Sequence, residues 1–185
     1  MITSETISST ISDEMKSDTI MAVLVAIVCM LLYIRIRFSD IRFGISSVAA
    51  LLHDVLIVLA FYAVAKVTVS NTFIACMLTI VGYSINATIV IFDRIRENMA
   101  VMSKKETLKD VVNKSITQTL SRSIFTSLTT FIMVAALYVL GVTSIREFAL
   151  PLMVGILCGA YSSVCLAGAL WYILRKKFPT KHSEN

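Results

Sequence analysis

The stretch Gly82–Asn98 reads GYSINATIVIFDRIREN, an apolar segment with an amide, Asn86, inside it and a dense group of charges at its end. An abrupt change from apolar to charged residues is typical of a helix that leaves a membrane. The group offers two ion pairs at helical i,i+3 spacing, Asp93–Arg96 and Arg94–Glu97. This charged group can serve only as an anchor on a helix that continues into water. Alternatively, it can be a functional motif as well.

The composition agrees with a lipid environment. Of 185 residues, 57% are hydrophobic and 16% are charged, whereas soluble domains have about 45–50% apolar and about 25% charged residues. Only two prolines and six glycines interrupt the apolar runs. The bilayer is therefore the expected solvent.

Five apolar segments are long enough to cross a hydrocarbon core, which takes about 20 residues of helix. They lie near residues 19–36, 44–66, 72–92, 121–141 and 148–174. In lipid such segments must be helical, because every backbone amide needs an internal partner. The predicted fold is an all-α, polytopic membrane bundle of five transmembrane helices over residues 19–175, with a leader at 1–18 and a tail at 176–185.

The distribution of cations predicts the orientation of this bundle. Alternation over five helices leaves only Lys16, Lys66 and Arg146 on one side, with the rest of the 17 lysines and arginines on the other. Since cytoplasmic loops are rich in these residues, we expect a cytoplasmic-membrane protein with an external leader and a cytoplasmic tail. The net charge of +5 is then an orientation signal, and no nucleic-acid partner is expected.

The segment 103–118 has a different pattern from the spans. Ser103 and Glu106 have the spacing of a capping box, and the residues that follow place their apolar members on one helical face, namely Leu108, Val111, Val112 and Ile116. This pattern predicts an amphipathic helix at the cytoplasmic interface, with a plain connector as the equal alternative. Contact between Lys104–Lys114 and anionic membrane lipid is a secondary expectation.

Cofactor and enzyme chemistry find no support in the sequence. The cysteines at 29, 76, 158 and 165 all lie in apolar runs without a C-x-x-C pair, so neither a disulfide framework nor a metal site is expected. No nucleophile elbow or phosphate loop occurs, and His53 is far from His182. We therefore expect no cofactor and no enzymatic activity.

Polar residues at membrane depth are the candidate functional residues, because such groups usually face a bundle interior and mark ion paths. They fall in three segments and comprise His53 and Asp54, then Ser84, Asn86 and Thr88, then Arg122 and Thr126. Each segment also has a purely structural interpretation. His53 and Asp54 can form a hydrogen-bonded pair, and the polar residues of the second segment can bond a neighbouring helix or their own backbone. Arg122 can extend its side chain to the lipid headgroups.

The last predicted span carries a regular row of small residues. Gly155, Gly159, Ser163 and Ala167 recur every four positions. Such rows let helix backbones approach closely in membranes. This face is expected to pack against a neighbouring helix.

Four blocks in order resemble SecF, or the SecF half of a fused SecDF. They are LLHDVLI at 51–57, VGYSINATIVIFDRIREN at 81–98, SITQTLSRSIFTSLTTF at 115–131 and IREFALPLMVGILCGAYSS at 145–163. The resemblance implies half of an RND-type bundle, the last five of six spans, in a piece of a longer protein. It implies proton-driven assistance to late preprotein export, with SecD as the paired half beside the SecYEG channel and the SecA motor.

The resemblance also implies roles for individual residues. Arg122 matches a charged residue near the proton path, and His53–Asp54 and Asp93–Arg94 match further charged motifs. Where the family has an acid after the asparagine, this chain has Ala87. Asn86 with water, an acid in the SecD half, or another coupling ion could compensate. We favour an acid of SecD facing Arg122.

Two other functions remain open at the level of sequence. One is half of an RND-type exporter of small molecules or lipids, which would share the span plan but carry larger extracytoplasmic domains. The other is a purely structural membrane subunit, which the small residues and Ala87 favour slightly.

Overall fold

A computed structural model of the chain describes residues 9–37, 40–67, 69 and 71–178. These residues form helices and connecting turns, with no strand in the ranges given. The helices are α1 (Ser9–Arg37), α2 (Ile41–Ala65), α3 (Asn71–Ala100), α4 (Leu108–Leu140), α5 (Thr143–Tyr161) and α6 (Gly168–Lys177). A π-helical stretch, Ser162–Ala167, joins α5 to α6 and is called the π segment below. The all-α prediction is confirmed.

Four helical stretches are long and apolar enough to cross a membrane within the described residues. They are Ile41–Ala65, Thr72–Ala100, Leu108–Leu140 and Ile145–Lys177. In α1 the apolar part, Ile20–Ile34, is shorter than a bilayer crossing requires. The first of the five expected spans therefore stays a prediction. Of the expected leader, residues 9–18 belong to α1, and residues 1–8 lie outside the described residues.

Residues 103–118, expected to form a separate interfacial helix, belong partly to a turn and partly to α4. Residues 101–107 form a turn, and residues 108–118 are the first turns of α4, continuous with the fourth span. The capping box lies at Thr107 and Asp110, so its predicted place at Ser103 and Glu106 is wrong. The reason is that Glu106 N–H already bonds the Ser103 carbonyl in the turn, which leaves Thr107 as the first extended residue before the helix.

The apolar face of this segment is buried in the bundle. Val111 and Val112 are at most 5% exposed, and Leu108 and Ile116 pack against the same cluster as Val112. The amphipathic pattern therefore marks a face that packs on the protein. The turn before it keeps charged contacts in water, where the Ser103 N–H and then the Lys114 ammonium lower the pKa of the Glu106 carboxyl.

The bundle is centred on α3 and α5, which pack against each other and against both α2 and α4, while α1 packs on α2 and α3. Two apolar clusters fill it. One contains Phe43, Phe92 and Trp171, with the Trp171 ring stacked 4.7 Å from that of Phe43. The other contains Val58, Ile80 and Ile156. α5, the π segment and α6 form one continuous helical stretch, called the α5–α6 rod below. Buried polar residues of α2, α3 and this rod lie between the two clusters.

Basic residues from three helices meet at one end of the bundle, as alternation of the helices predicts. Arg37 of α1 pairs with Asp93 of α3 at 2.7 Å. Arg175 of α6 lies 3.8 Å from Asp40, at the start of α2. The predicted pair Arg94–Glu97 is confirmed at 2.8 Å. Arg96 reaches across to the Arg37 carbonyl, and the pair Asp93–Arg96 stays a prediction.

The row of small residues on the α5–α6 rod is buried against α3. Gly155, Gly159, Ser163 and Ala167 are all buried. A Cβ built at Gly155 would overlap Cγ1 and Cδ1 of Ile80 on α3. One at Gly159 would lie 3.4 Å from the Cβ of Ser84. The absence of a side chain at Gly155 therefore sets the α3–α5 distance.

We expect Gly155→Ala to destabilise the bundle, because the new methyl group must displace the buried Ile80. Overpacking typically costs about 1–3 kcal/mol, which exceeds the roughly 1 kcal/mol that a helix gains from Gly→Ala. Gly82→Ala is the matched control, because a Cβ there meets nothing within 4 Å. It should leave stability unchanged or raise it.

The measurement is unfolding of detergent-solubilised protein by sodium dodecyl sulfate. The fluorescence of Trp171 reports it, because this is the only tryptophan in the sequence and is fully buried. Equal unfolding midpoints for the two variants would contradict the close α3–α5 contact.

Candidate functional site

A carboxylate lies at the centre of the bundle. Asp54 is fully buried on α2, roughly three turns from either helix end. Ala50, one turn before it, belongs to one apolar cluster, and Val58, one turn after it, belongs to the other. Asp54 therefore lies in the polar layer between them, where a carboxyl group is tolerated only if its oxygens are hydrogen-bonded.

Three side chains bond this carboxylate. The Ser84 hydroxyl of α3 donates to Oδ2 at 2.5 Å, and the Ser162 hydroxyl of the π segment donates to the same oxygen at 2.7 Å. Nδ1 of His53, on a ring with about a third of its surface exposed, lies 3.1 Å from Oδ1. Asp54 thus joins α2, α3 and the π segment through one functional group.

The π segment brings Ser162 to this site. An extra residue per turn rotates the following side chains relative to an α-helix, and π-helical turns occur often at functional sites. Ser162 is fully buried, and its hydroxyl also lies 3.3 Å from the Gly159 carbonyl. Sequence reasoning missed Ser162. The only signal was the pair of serines in an otherwise apolar run.

A second polar site is an open groove between α3 and α4. It measures about 70 Å³, enough for a few water molecules. Its lining comprises Tyr83, Asn86, Ala87 and Val90 of α3, and Arg122, Ser123, Thr126 and Ser127 of α4. The Tyr83 hydroxyl closes one part of it by donating to Ser127 Oγ at 3.0 Å.

Three polar members of this groove point away from the core of the bundle. Asn86, Arg122 and Thr126 are exposed. Among the described residues, neither the Arg122 guanidinium nor the Asn86 amide has a hydrogen bond or an ion pair. In this chain taken alone, Arg122 and Asn86 therefore face outward, since the serine and apolar faces of α3 and α4 pack inward. Their place in a proton path stays a prediction.

The candidate residues from the sequence thus separate into two groups. His53, Asp54 and Ser84 meet at the buried carboxylate, while Asn86, Arg122 and Thr126 meet at the groove. Thr88 is buried one turn from Ser84. The helix α3 separates the groups, because Ser84 and Thr88 lie on its inward face and Asn86 lies on its outward face.

A third polar network fixes α4 to α3, and sequence reasoning did not single it out. The buried amide of Asn98 donates to Ser115 Oγ and to Gln118 Oε1, both at 2.8 Å. Arg94 Nε donates to the same Gln118 oxygen at 2.7 Å. The network begins about one turn from the groove on both helices, so it holds α3 and α4 together next to Arg122.

Comparison with known proteins identifies the family. Residues 1–177 match the family model described as protein export membrane protein SecD/SecF, C-terminal. The protein translocase subunit SecF of Alicyclobacillus acidocaldarius is 48% identical over 170 residues, which is 90% of this chain and 54% of that relative. The SecF of Sebaldella termitidis is 42% identical over the whole chain and 60% of its own length.

Solved structures of SecDF have the same fold. The crystal structure of SecDF from Thermus thermophilus, titled a translocon-associated membrane protein, superposes with a TM-score of 0.84 at 44% identity. It covers 93% of this chain, which corresponds to 24% of that structure. The super-membrane-facing form of SecDF gives a TM-score of 0.81 at 43% identity, over 92% of this chain and 22% of that one. The chain spans little more than half of its SecF relatives.

We expect Asn98→Ala to destabilise the protein by about 1–3 kcal/mol, because it leaves the buried Ser115 hydroxyl oxygen on α4 without this donor. Thr117→Ala is the control, since the Thr117 hydroxyl is exposed and bonds only the Asn113 carbonyl of its own helix. Unfolding followed by Trp171 fluorescence gives the difference. If both variants unfold together, the network does not hold α4 on α3.

Proposed function

The chain belongs to the SecD/SecF family of protein-export membrane proteins, and on this premise we propose that it acts as the SecF half of a SecD–SecF pair. In this role it assists the late export of preproteins across the membrane, beside the SecYEG channel and the SecA motor. The observation that carries the proposal is the groove of Asn86 and Arg122, whose donors are exposed and unpartnered within the described chain.

Exposed donors at membrane depth require a partner. A charged or amide group facing lipid is costly, and such groups face a bundle interior or a water-filled cavity. SecD is the partner that relatives support, because SecDF proteins of Thermus thermophilus and Bacillus subtilis match this chain with 45% and 41% identity over about a quarter of their length. We propose that the SecD half covers the groove and turns it into an internal path.

The positive charge of the groove is complementary to a carboxyl group supplied by SecD. Arg122 stays protonated at any physiological pH, so it acts as a fixed positive charge. Ala87 beside it carries only a methyl group, which leaves space for a carboxyl group of SecD. Proton binding to that carboxyl group would break its pairing with Arg122, and the proton motive force would thereby move the two halves.

The basic end of the bundle is proposed to be cytoplasmic. Cytoplasmic loops carry the excess of lysine and arginine, and this end holds Arg37, Arg94 and Arg175. The leader at residues 1–18 is then extracytoplasmic, the bundle at 19–175 lies in the inner membrane and the tail at 176–185 is cytoplasmic. The exposed lysines of the turn before α4, among them Lys104 and Lys105, are placed to contact anionic headgroups.

Replacing Arg122 tests the function. In the full-length protein paired with SecD, we expect Arg122→Ala to slow preprotein processing at least several-fold in pulse-chase experiments, because the partner carboxyl group loses its counter-charge. Membrane insertion should be unaffected. Lys104→Ala removes an exposed cation outside the groove and should export normally. Normal export and normal proton flux in Arg122→Ala would refute the proposal.

Crosslinking tests the contact with SecD directly. A photoreactive residue in place of Ala87 should form an adduct with SecD, because it lies in the groove. The same residue in place of Leu56, which is 62% exposed on α2, is the control and should label lipid or nothing. Equal SecD adducts from both positions, or none from position 87, would place the partner elsewhere.

A further inference from the structure

Asp54 differs from the other acids of the spanning helices. Within the described residues, the remaining acids lie within about two turns of a helix end, namely Asp93, Glu97, Asp110 and Glu147. Asp54 alone lies near the middle of a span and has no solvent contact. We propose that Asp54 is a proton-binding site internal to this chain, separate from the groove and loaded through His53.

The hydrogen bonds around Asp54 fit both protonation states. With Asp54 ionised, the hydroxyls of Ser84 and Ser162 both donate to Oδ2. With Oδ1 protonated by His53, this proton is donated back to Nδ1 of the ring, while both hydroxyls still donate to Oδ2. Only the proton between Oδ1 and Nδ1 changes its place, so neither state leaves a buried polar group without a partner.

His53 connects the buried acid with the outside. Its Nδ1 contacts Oδ1 of Asp54, and about a third of the side chain is exposed. Imidazole exchanges protons near neutral pH. A proton taken up at the exposed part of the ring is delivered from Nδ1 to the carboxylate, which becomes a neutral acid while the ring returns to its neutral form. The π segment is adjacent, since the Tyr161 ring lies 6.4 Å from that of His53.

Few other titratable groups face Asp54. From α5, the nearest titratable side chain along the helix is Cys158, one turn before Ser162. The groups that α3 and the π segment direct at Asp54 are the hydroxyls of Ser84 and Ser162, which do not titrate in this range. His53 is the one imidazole at the site within the described residues. The proton on Asp54 is therefore exchanged with His53.

Protonation changes the contact between three elements. Hydrogen bonds to a carboxylate are roughly twice as strong as those between neutral groups, so a neutral Asp54 binds α3 and the π segment less tightly to α2. The chain around it is closely packed, because a Cβ at Gly159 would lie 3.8 Å from Oδ2. The consequence for export rests on the function proposed above, whereas proton binding itself does not depend on it.

Infrared spectroscopy of the full chain in lipid nanodiscs tests the proposal without SecD or preprotein. The C=O stretch of a protonated carboxylic acid absorbs apart from the amide bands. We expect a component of this band that rises as pH is lowered and titrates as a single proton. Asp54→Asn should remove this component, and Glu147→Gln, which removes an acid at the start of α5, should leave it unchanged.

Two further variants keep the test decisive if Asp54→Asn fails to fold. Ser162→Ala removes one hydrogen bond from Oδ2 and should move the band to higher frequency without abolishing it. His53→Gln should slow the rise of the band after a pH jump several-fold. The proposal is overturned if Asp54 keeps one protonation state over the whole pH range in which the protein stays folded. It is also overturned if Asp54→Asn or Ser162→Ala leaves the band unchanged.

The infrared result and the export assay separate the two proposals. A titrating Asp54 band together with normal export in Arg122→Ala would reject the proposed function and retain the proton site. Slowed export in Arg122→Ala with no titrating band would retain the proposed function and reject the proton site.

Discussion

A carboxylate buried at the depth of the lipid must keep its hydrogen-bond partners, and the arrangement of the bundle follows from this constraint. Asp54 draws Ser84 of α3 and Ser162 of the π segment to one oxygen. Because a buried acid without donors is costly, the axial positions of α2, α3 and the α5–α6 rod are fixed relative to one another. The apolar clusters then fill the space on either side of this layer.

The two polar sites differ in how complete they are. The Asp54 site is satisfied by the chain itself, whereas the groove of Asn86 and Arg122 is open. A site completed internally can bind a proton without a second protein. The groove is open and its donors are unused in the described chain, and the relatives named SecDF are longer chains of which this chain covers about a quarter. The small side chain of Ala87 agrees with the proposal that the acid at the groove comes from SecD.

Particular residues show how far the sequence predicts this structure. The spans at α2, α3 and the α5–α6 rod follow from apolar length, and the pair Arg94–Glu97 follows from helical spacing, because both are local properties. The segment 103–118 was misassigned, since an amphipathic face looks the same whether it packs on lipid or on Val112 and its neighbours. Ser162 could not be found from the sequence, because a π-helical turn changes which residue faces inward. The pattern of apolar residues does not show where such a turn occurs.

The sequence by itself determined that this protein is a helical membrane bundle of the SecD/SecF family with its cations at one end. Hydropathy, charge and short motifs suffice for that conclusion, because each is a property of residues that are close together in the sequence. Only the tertiary structure decided that Asp54 and Arg122 belong to different sites. Which face of α3 meets α2 and which meets the outside depends on helix rotation, and rotation is set by close contacts such as Gly155 with Ile80 that lie far apart in sequence.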